Sequence, residues 1–327
     1  MTGMGGVGGA GAAAEVVTFG ETMAALRSAG PLRLGGSLAL SVAGAESNVA
    51  IGLARLGHRV AWAGRIGDDE PGTLVRRTLR AENVEVGCIV VDPSRPTGLI
   101  LFERRLADVT RVQYYRSGSA GSGLDAADLP VFGPATAPAV LHITGITPAL
   151  SATAARATRA GAERAREAGR LVSFDVNYRA RLWSAADASA ALRPLAALAG
   201  IIFGSAQELA LLTDDPASSA ATAAEMLLGR GAQAVVVKRG AQGATAYTPG
   251  GANSVPAHPV RVVDVVGAGD AFVAGYLSGF LDRLDEPGRL GRGAAVSAFA
   301  VSTAGDWEGL PTRRELELLD GGEETIR

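Results

Sequence analysis

Asp270 follows the triplet Gly267-Ala268-Gly269 and stands directly before the apolar run AFVAGYLSGFL. The stretch VRVVDVV ahead of the triplet reads as a strand. The run behind it reads as a helix, with Phe272, Tyr276, Phe280 and Leu284 four apart and Gly275 and Gly279 leaving room for a close neighbour. GAGD then sits at the carboxyl end of a strand and at the positive end of a helix, where the N–H groups of Gly267, Ala268 and Gly269 can converge on an anion. A carboxylate in that place repels the same anion, so it needs a task of its own. It can cap the helix, or it can take a proton from a second reactant's hydroxyl as that oxygen attacks a phosphorus held by the amides. The motif alone does not separate the two.

Other routes to phosphate chemistry are closed. Lys238 is the only lysine, and in VVVKRGAQGA no Ser or Thr follows it, so a G-x-x-x-x-G-K-[ST] loop cannot be written anywhere in the chain. Protein-kinase H-R-D and D-F-G are absent. Gly3, Gly5 and Gly8 have the spacing of a dinucleotide fingerprint but lack the strand before and the helix after that it requires. One cysteine, Cys88, excludes an internal disulfide and a cysteine-based zinc site, and the 3 histidines show no ligand spacing.

The elements that must position Asp270 alternate. Among 327 residues, strands are predicted at VVTFG, RVAWAGRIG, AVLHITG, RLVSFDVN, GIIFGS and AQAVVVKRG, and helices over 45–57, 70–84, 152–168, 185–198 and 218–230. That order argues for a largely parallel sheet covered on both faces. Two stretches, 23–44 and 96–118, are instead short, alternating and turn-rich, and read as antiparallel strands outside the main sheet, over its carboxyl edge. Residues 1–14 are Gly/Ala-rich and read as a mobile tail. The formal charge of −2, from 31 basic and 33 acidic residues, gives no footprint for nucleic acid or an anionic membrane, and no stretch has the length of a membrane span. The expectation is a soluble cytoplasmic protein.

The segments GAESNVAIGLARLG (44–57), GRIGDDEPG (64–72), KRGAQGA (238–244) and DVVGAGDAF (264–272) resemble the ribokinase-like, or PfkB, carbohydrate kinases over nearly the whole chain after Glu15. Within that family YYRSGSAGSGL (114–124), LHITGIT (141–147), FDVNYRARLW (174–183) and GDWEGLP (305–311) are similar to the 2-keto-3-deoxygluconate kinase branch. The resemblance implies a three-layer α/β/α sandwich with a mostly parallel central sheet and a small β lid. The core would be 15–22, 44–95 and 119–327, and the lid 23–43 and 96–118. It implies ATP- and Mg²⁺-dependent phosphorylation of the 6-hydroxyl of a keto-deoxy sugar acid, with Asp270 as base and the turn from Gly267 to Asp270 as anion hole. Gly44, Tyr114, Arg116, Arg179 and Asp306 would line the sugar-acid site, with Asn48 close by. Asn177, Arg179, Ser205, Lys238, Gly240 and Gly243 would lie along the nucleotide, and Glu208 by the metal's water shell. Dimers or larger homo-oligomers through the lid are implied as well.

Chemistry agrees with part of this. An arginine and a carboxylate make two parallel charge-assisted hydrogen bonds, so YYR and NYR can clamp a substrate acid that a neutral sugar lacks. Of Tyr114 and Tyr115, one would pack inward and one lie exposed. The chain also departs from the family pattern. Val265 and Val266 follow Asp264 where a threonine is frequent, which leaves a monovalent-cation site open. Ser205 replaces an asparagine, and Ile100 stands where relatives offer a tyrosine hydroxyl to the sugar. A PfkB-type kinase of a neutral sugar such as ribose or fructose, and a sugar or nucleotide sensor without catalysis, are the competing readings.

Overall fold

The computed structural model describes residues 14–106, 109–130 and 138–319; the Gly3/Gly5/Gly8 spacing and most of the expected tail lie outside them. The elements are, in order, β1 (Val16–Phe19), β2 (Met23–Ser28), β3 (Leu38–Ala43), α1 (Ala45–Arg55), β4 (Val60–Gly67), α2 (Glu70–Ala81), β5 (Val84–Glu85), β6 (Ile89–Asp92), β7 (Leu99–Leu106), β8 (Val109–Tyr115), β9 (Val140–Thr144), α3 (Ala152–Glu167), β10 (Leu171–Asp175), α4 (Ala185–Ala196), β11 (Ile201–Gly204), α5 (Ala206–Ala210), α6 (Ala220–Gly229), β12 (Ala234–Lys238), β13 (Ala244–Thr248), β14 (Gly251–Val255), α7 (Ala268–Leu281) and α8 (Glu286–Val301).

The central sheet runs β14-β13-β12-β11-β10-β9-β1-β4-β5, with β6 also beside β4. From β12 to β5 its pairs are parallel, and β13 and β14 close it as an antiparallel edge. Successive residues of each buried strand serve opposite faces. Val16, Trp62, Phe203 and Val236 join the cluster under α1, α2, α7 and α8, while Val17, Ala63, Ile202 and Val235 join the one under α3, α4, α5 and α6. One cluster lies on each face of the sheet, which makes three layers. A fully buried Leu, Ile or Phe contributes about 1.5–3 kcal/mol here.

The second sheet runs β3-β2-β7-β8. It corrects one expectation, since β2 and β7 pair parallel while the other two pairs are antiparallel. The reason is directional. Both strands leave the carboxyl ends of parallel strands, β1 and β6, and so set off the same way. Met23, Ala25, Ala43, Ile100 and Phe102 form this sheet's own apolar cluster, with Val112, Tyr114 and Val266 against it. Tyr114 packs inward and Tyr115 is 58% exposed.

A further correction concerns the approach to Asp270. Residues 256–266 are not a strand. Val262, Val263 and Val265 are exposed, and the run is anchored by Val301 at the end of α8, whose carbonyl accepts from Val263 and Asp264. Leu284 lies past the end of α7. The helix α8, which no apolar period announced, packs where Gly275 and Gly279 open α7; a Cβ at Gly275 would meet the Arg292 carbonyl at 2.6 Å.

Candidate active site

The site grows from the first turn of α7. Gly267 holds φ +76°, and a Cβ there would stand 2.0 Å from the Asp306 carbonyl oxygen, so only glycine fits. Among the described residues the N–H groups of Gly267 and Gly269 have no acceptor. The third member of the expected cradle differs. Ala268 turns its N–H back to the Val265 carbonyl at 3.3 Å and does not line the cavity, because the chain enters the helix through a tight turn and not from a strand.

Asp270 does not cap the helix. Its Oδ2 accepts from Asn48 Nδ2 of α1 at 2.9 Å and its Oδ1 from Asn177 Nδ2 at 3.4 Å. Burial pushes its pKa up to about 6, against the Asn48 hydrogen bond; nearby Asp175 pushes it up further, while Lys238 and Arg179 pull it down. The carbonyl oxygens of both asparagine side chains are buried with no partner among the described residues, as is Asp175 Oδ1. Buried polar atoms in that state mark a place for a polar ligand.

Asp270, both asparagines and the two glycines border one cavity of about 470 Å³. Gly44, Asn48, Tyr114, Arg116, Asn177, Arg179, Glu208, Lys238, Gly267, Gly269, Asp270 and Asp306 line it. Ser205, Gly240 and Gly243 do not. Gly240 and Gly243 form the tight turn between β12 and β13, and the Ser205 hydroxyl accepts from the Glu208 N–H to cap α5.

Four lining or supporting residues carried no recognisable signal. Glu21, at the end of β1, accepts from Arg116 Nε and Nη2 at 2.6 Å each, and from the Ser119 hydroxyl. Half of the expected acid clamp is therefore already paired. Arg179 has no carboxylate partner among the described residues; its Nη1 reaches only the Tyr178 carbonyl. Glu46 is buried beside Gly20, takes the hydroxyls of Thr144 and Thr147 at 2.6 Å, and has its pKa raised by burial. Asp175 binds Lys238 Nζ at 2.6 Å; burial pulls the ammonium down, but Asp175, Glu208 and Asp270 together hold it above its ordinary value. Arg27, on β2, pairs with Asp306 and with Asp264.

A metal has no all-protein cage. Among the described residues no group of three or more His, Cys, Asp or Glu side chains is placed to hold a metal ion. Both Glu208 oxygens accept backbone N–H groups, from Tyr178 at 2.8 Å and Ser205 at 2.7 Å. A magnesium ion carried by nucleotide phosphates keeps most of its water and asks for only one or two carboxylates nearby, and Glu208 beside Lys238 fits that requirement. At the residues after Asp264, Val265 is 70% exposed and Val266 packs on the second sheet, so no hydroxyl is offered there to a monovalent cation.

A family model of pfkB carbohydrate kinases matches residues 13–313. The chain belongs to that family. It is 38% identical to the 2-dehydro-3-deoxygluconokinase of Bacillus subtilis (strain 168), covering 95% of this chain and 97% of that one. It is 33% identical to the 2-dehydro-3-deoxygalactonokinase of Haloferax volcanii, covering 96% and 99%. Among solved structures it is similar to a putative ribokinase II from E. coli in complex with ATP and Mg²⁺, with a TM-score of 0.87 and 25% identity over 94% of this chain and 99% of that one. As a PfkB-family carbohydrate kinase the chain is an enzyme, which sets the sensor reading aside. No described helix is long and apolar enough to cross a membrane.

Proposed function

We propose that this PfkB kinase transfers the γ-phosphoryl group of Mg·ATP to the 6-hydroxyl of a 2-keto-3-deoxy sugar acid. The observation that carries the reading is the placement of Asp270. It is a buried carboxylate turned away from its own helix, next to two unused amides and in one cavity with Arg116 and Arg179. The acceptor hydroxyl would give its proton to Asp270 as its oxygen forms a bond to the γ-phosphorus. The bond from that phosphorus to the β,γ-bridging oxygen breaks, and ADP leaves with that electron pair. Asn48 and Asn177 orient the carboxylate for the transfer. The Gly267 and Gly269 amides and Lys238 meet the phosphoryl charge in a site sheltered from water, where such contacts count for most. Magnesium bound to the phosphates would neutralise further charge.

The second sheet would act as the lid, contributing Tyr114 and Arg116 from above. The relatives named for 2-dehydro-3-deoxygluconate and 2-dehydro-3-deoxygalactonate support an acidic acceptor. One observation favours a neutral sugar instead: Glu21 already neutralises Arg116. A coupled assay of ADP release with 2-keto-3-deoxygluconate, its galacto epimer, gluconate, ribose and fructose tests the choice. Turnover confined to ribose or fructose would overturn the acid reading.

A further inference from the structure

Asp306 lines the cavity, and it and the two residues after it, Trp307 and Glu308, are each tied to the second sheet. The Asp306 carboxylate pairs with the Arg27 guanidinium of β2. The Trp307 indole N–H donates to the Val42 carbonyl of β3 at 3.1 Å, and the Ser41 hydroxyl of β3 donates to Glu308 at 2.6 Å. Arg27 is itself braced: its guanidinium lies 3.9 Å from the Phe102 ring centroid and reaches Asp264 at 3.3 Å. The one cation in this group comes from the sheet, whereas its carboxylate partners come from the core.

From this geometry we infer that Arg27 is a positioning residue for acceptor recognition: from the second sheet it holds the Asp306 carboxylate aimed into the cavity. The inference rests on the proposed function and on Asp306, which lines the cavity, touching the acceptor as the family resemblance implies. Asp306 is 6% exposed, and an uncompensated carboxylate so deep in the protein takes up a proton instead of staying charged. The charges facing it are Arg27 from β2, Asp264 and Asp270 from the turn and first helical residues of α7, and Glu308 from its own loop. Three of the four are acidic. Burial already pushes its pKa up to about 7, and Arg27 is the only group of the four that opposes the rise. Loss of Arg27 would favour the neutral carboxyl, which turns one acceptor oxygen into an O–H donor toward the sugar hydroxyls. The second sheet thereby contributes to acceptor binding through this ion pair.

The test uses the full chain and whichever acceptor the wild type turns over fastest. In Arg27→Met the acceptor KM should rise about tenfold or more, with kcat changed less than about threefold. The acid limb of kcat/KM should move up by about one pH unit, because loss of the cation favours the protonated acid. Arg27→Lys should restore most of both. Should Arg27→Met fail to fold, Arg27→Gln, which keeps a donor and loses only charge, should show the same displaced limb. Parallel losses in kcat and kcat/KM with the acid limb unmoved, or a lysine variant no better than methionine, would overturn the inference. Activity on neutral sugars alone would overturn the acceptor class and leave this test intact.

Discussion

Asn48 and Asp270 stand 222 positions apart in the chain and 2.9 Å apart in the fold, joining the first turns of α1 and α7 across the floor of the cavity. The bond holds the carboxylate off its own helix and toward the space where an acceptor hydroxyl must lie. Replacing Asp270 by Asn removes the proton acceptor and keeps the shape, because Asn48 can present its unpartnered Oδ1 to the new amide. Steady-state assays of Asp270→Asn should show kcat lower by roughly 10²- to 10⁴-fold with nucleotide KM within about threefold. Undiminished turnover would remove Asp270 from the role of base.

The same burial makes a pH signature. A base must be deprotonated to act, so both kcat and kcat/KM should rise with pH, and in kcat/KM, which reports the free enzyme, the Asp270 value of about 6 bounds the limb from below. The kcat/KM limb should lie closer to 7, where Asp306 of the free enzyme also titrates. A single limb near pH 4 in both parameters would mean that neither carboxylate is buried during turnover.

Stability moves the opposite way. The folded-state pKa of Asp270 lies above its unfolded value of 3.8, so between 3.8 and about 6 the native state binds more protons than the unfolded one. Its contribution is therefore fully present below pH 3.8 and is lost as pH rises through 6. The cost of the buried charge at pH 7.5 is at most roughly 3 kcal/mol. Asp270→Asn should melt higher than wild type at pH 7.5, with the gap closing toward pH 4. A gap that does not depend on pH would place the effect elsewhere.

Much of this was legible in the chain. The strands β1, β4, β9, β10, β11 and β12 are runs of Val, Ile, Phe and Ala bounded by glycine or by charge, and both sequence stretches off the main sheet formed strands. What failed has a physical reason. VRVVDVV carries strand composition but joins neither sheet, and exposed β-branched residues look the same in one dimension as buried ones. Arg27 and Glu21 were silent because their meaning lies in partners 279 and 95 positions away. The 30 arginines among 31 basic residues hid Arg27.

The pairing of Arg116 with Glu21 decides which arginine tests the acid clamp. Truncating Arg116 leaves Glu21, 3% exposed, without its counter-charge, and breaking a buried pair from one side destabilises by about 3–5 kcal/mol. Arg116→Ala would thus confuse binding with folding. Arg179 has no such dependant. Arg179→Ala should leave the melting temperature within about 2 °C of wild type. Its KM for a sugar acid should rise about tenfold to a hundredfold, with little change for ribose or fructose. Equal effects on both acceptor classes would show that no substrate carboxylate meets this guanidinium.

Gly267 tests the cradle itself. Its backbone angle of +76° lies where an L side chain is strained, and the first atom of any side chain would collide with the Asp306 carbonyl 2.0 Å away. Relief requires either the helix start or the 305–308 loop to move, and both border the cavity. Gly267→Ala should therefore lose about 1–3 kcal/mol of stability from strain alone. It should also lower kcat by about a hundredfold or more, since two amides and Asp306 shift together. Asp270→Asn should bind nucleotide normally where Gly267→Ala binds it weakly, as read by titration calorimetry. If Gly267→Ala kept wild-type nucleotide affinity and turnover, the phosphoryl group would have to be held by something other than the start of α7.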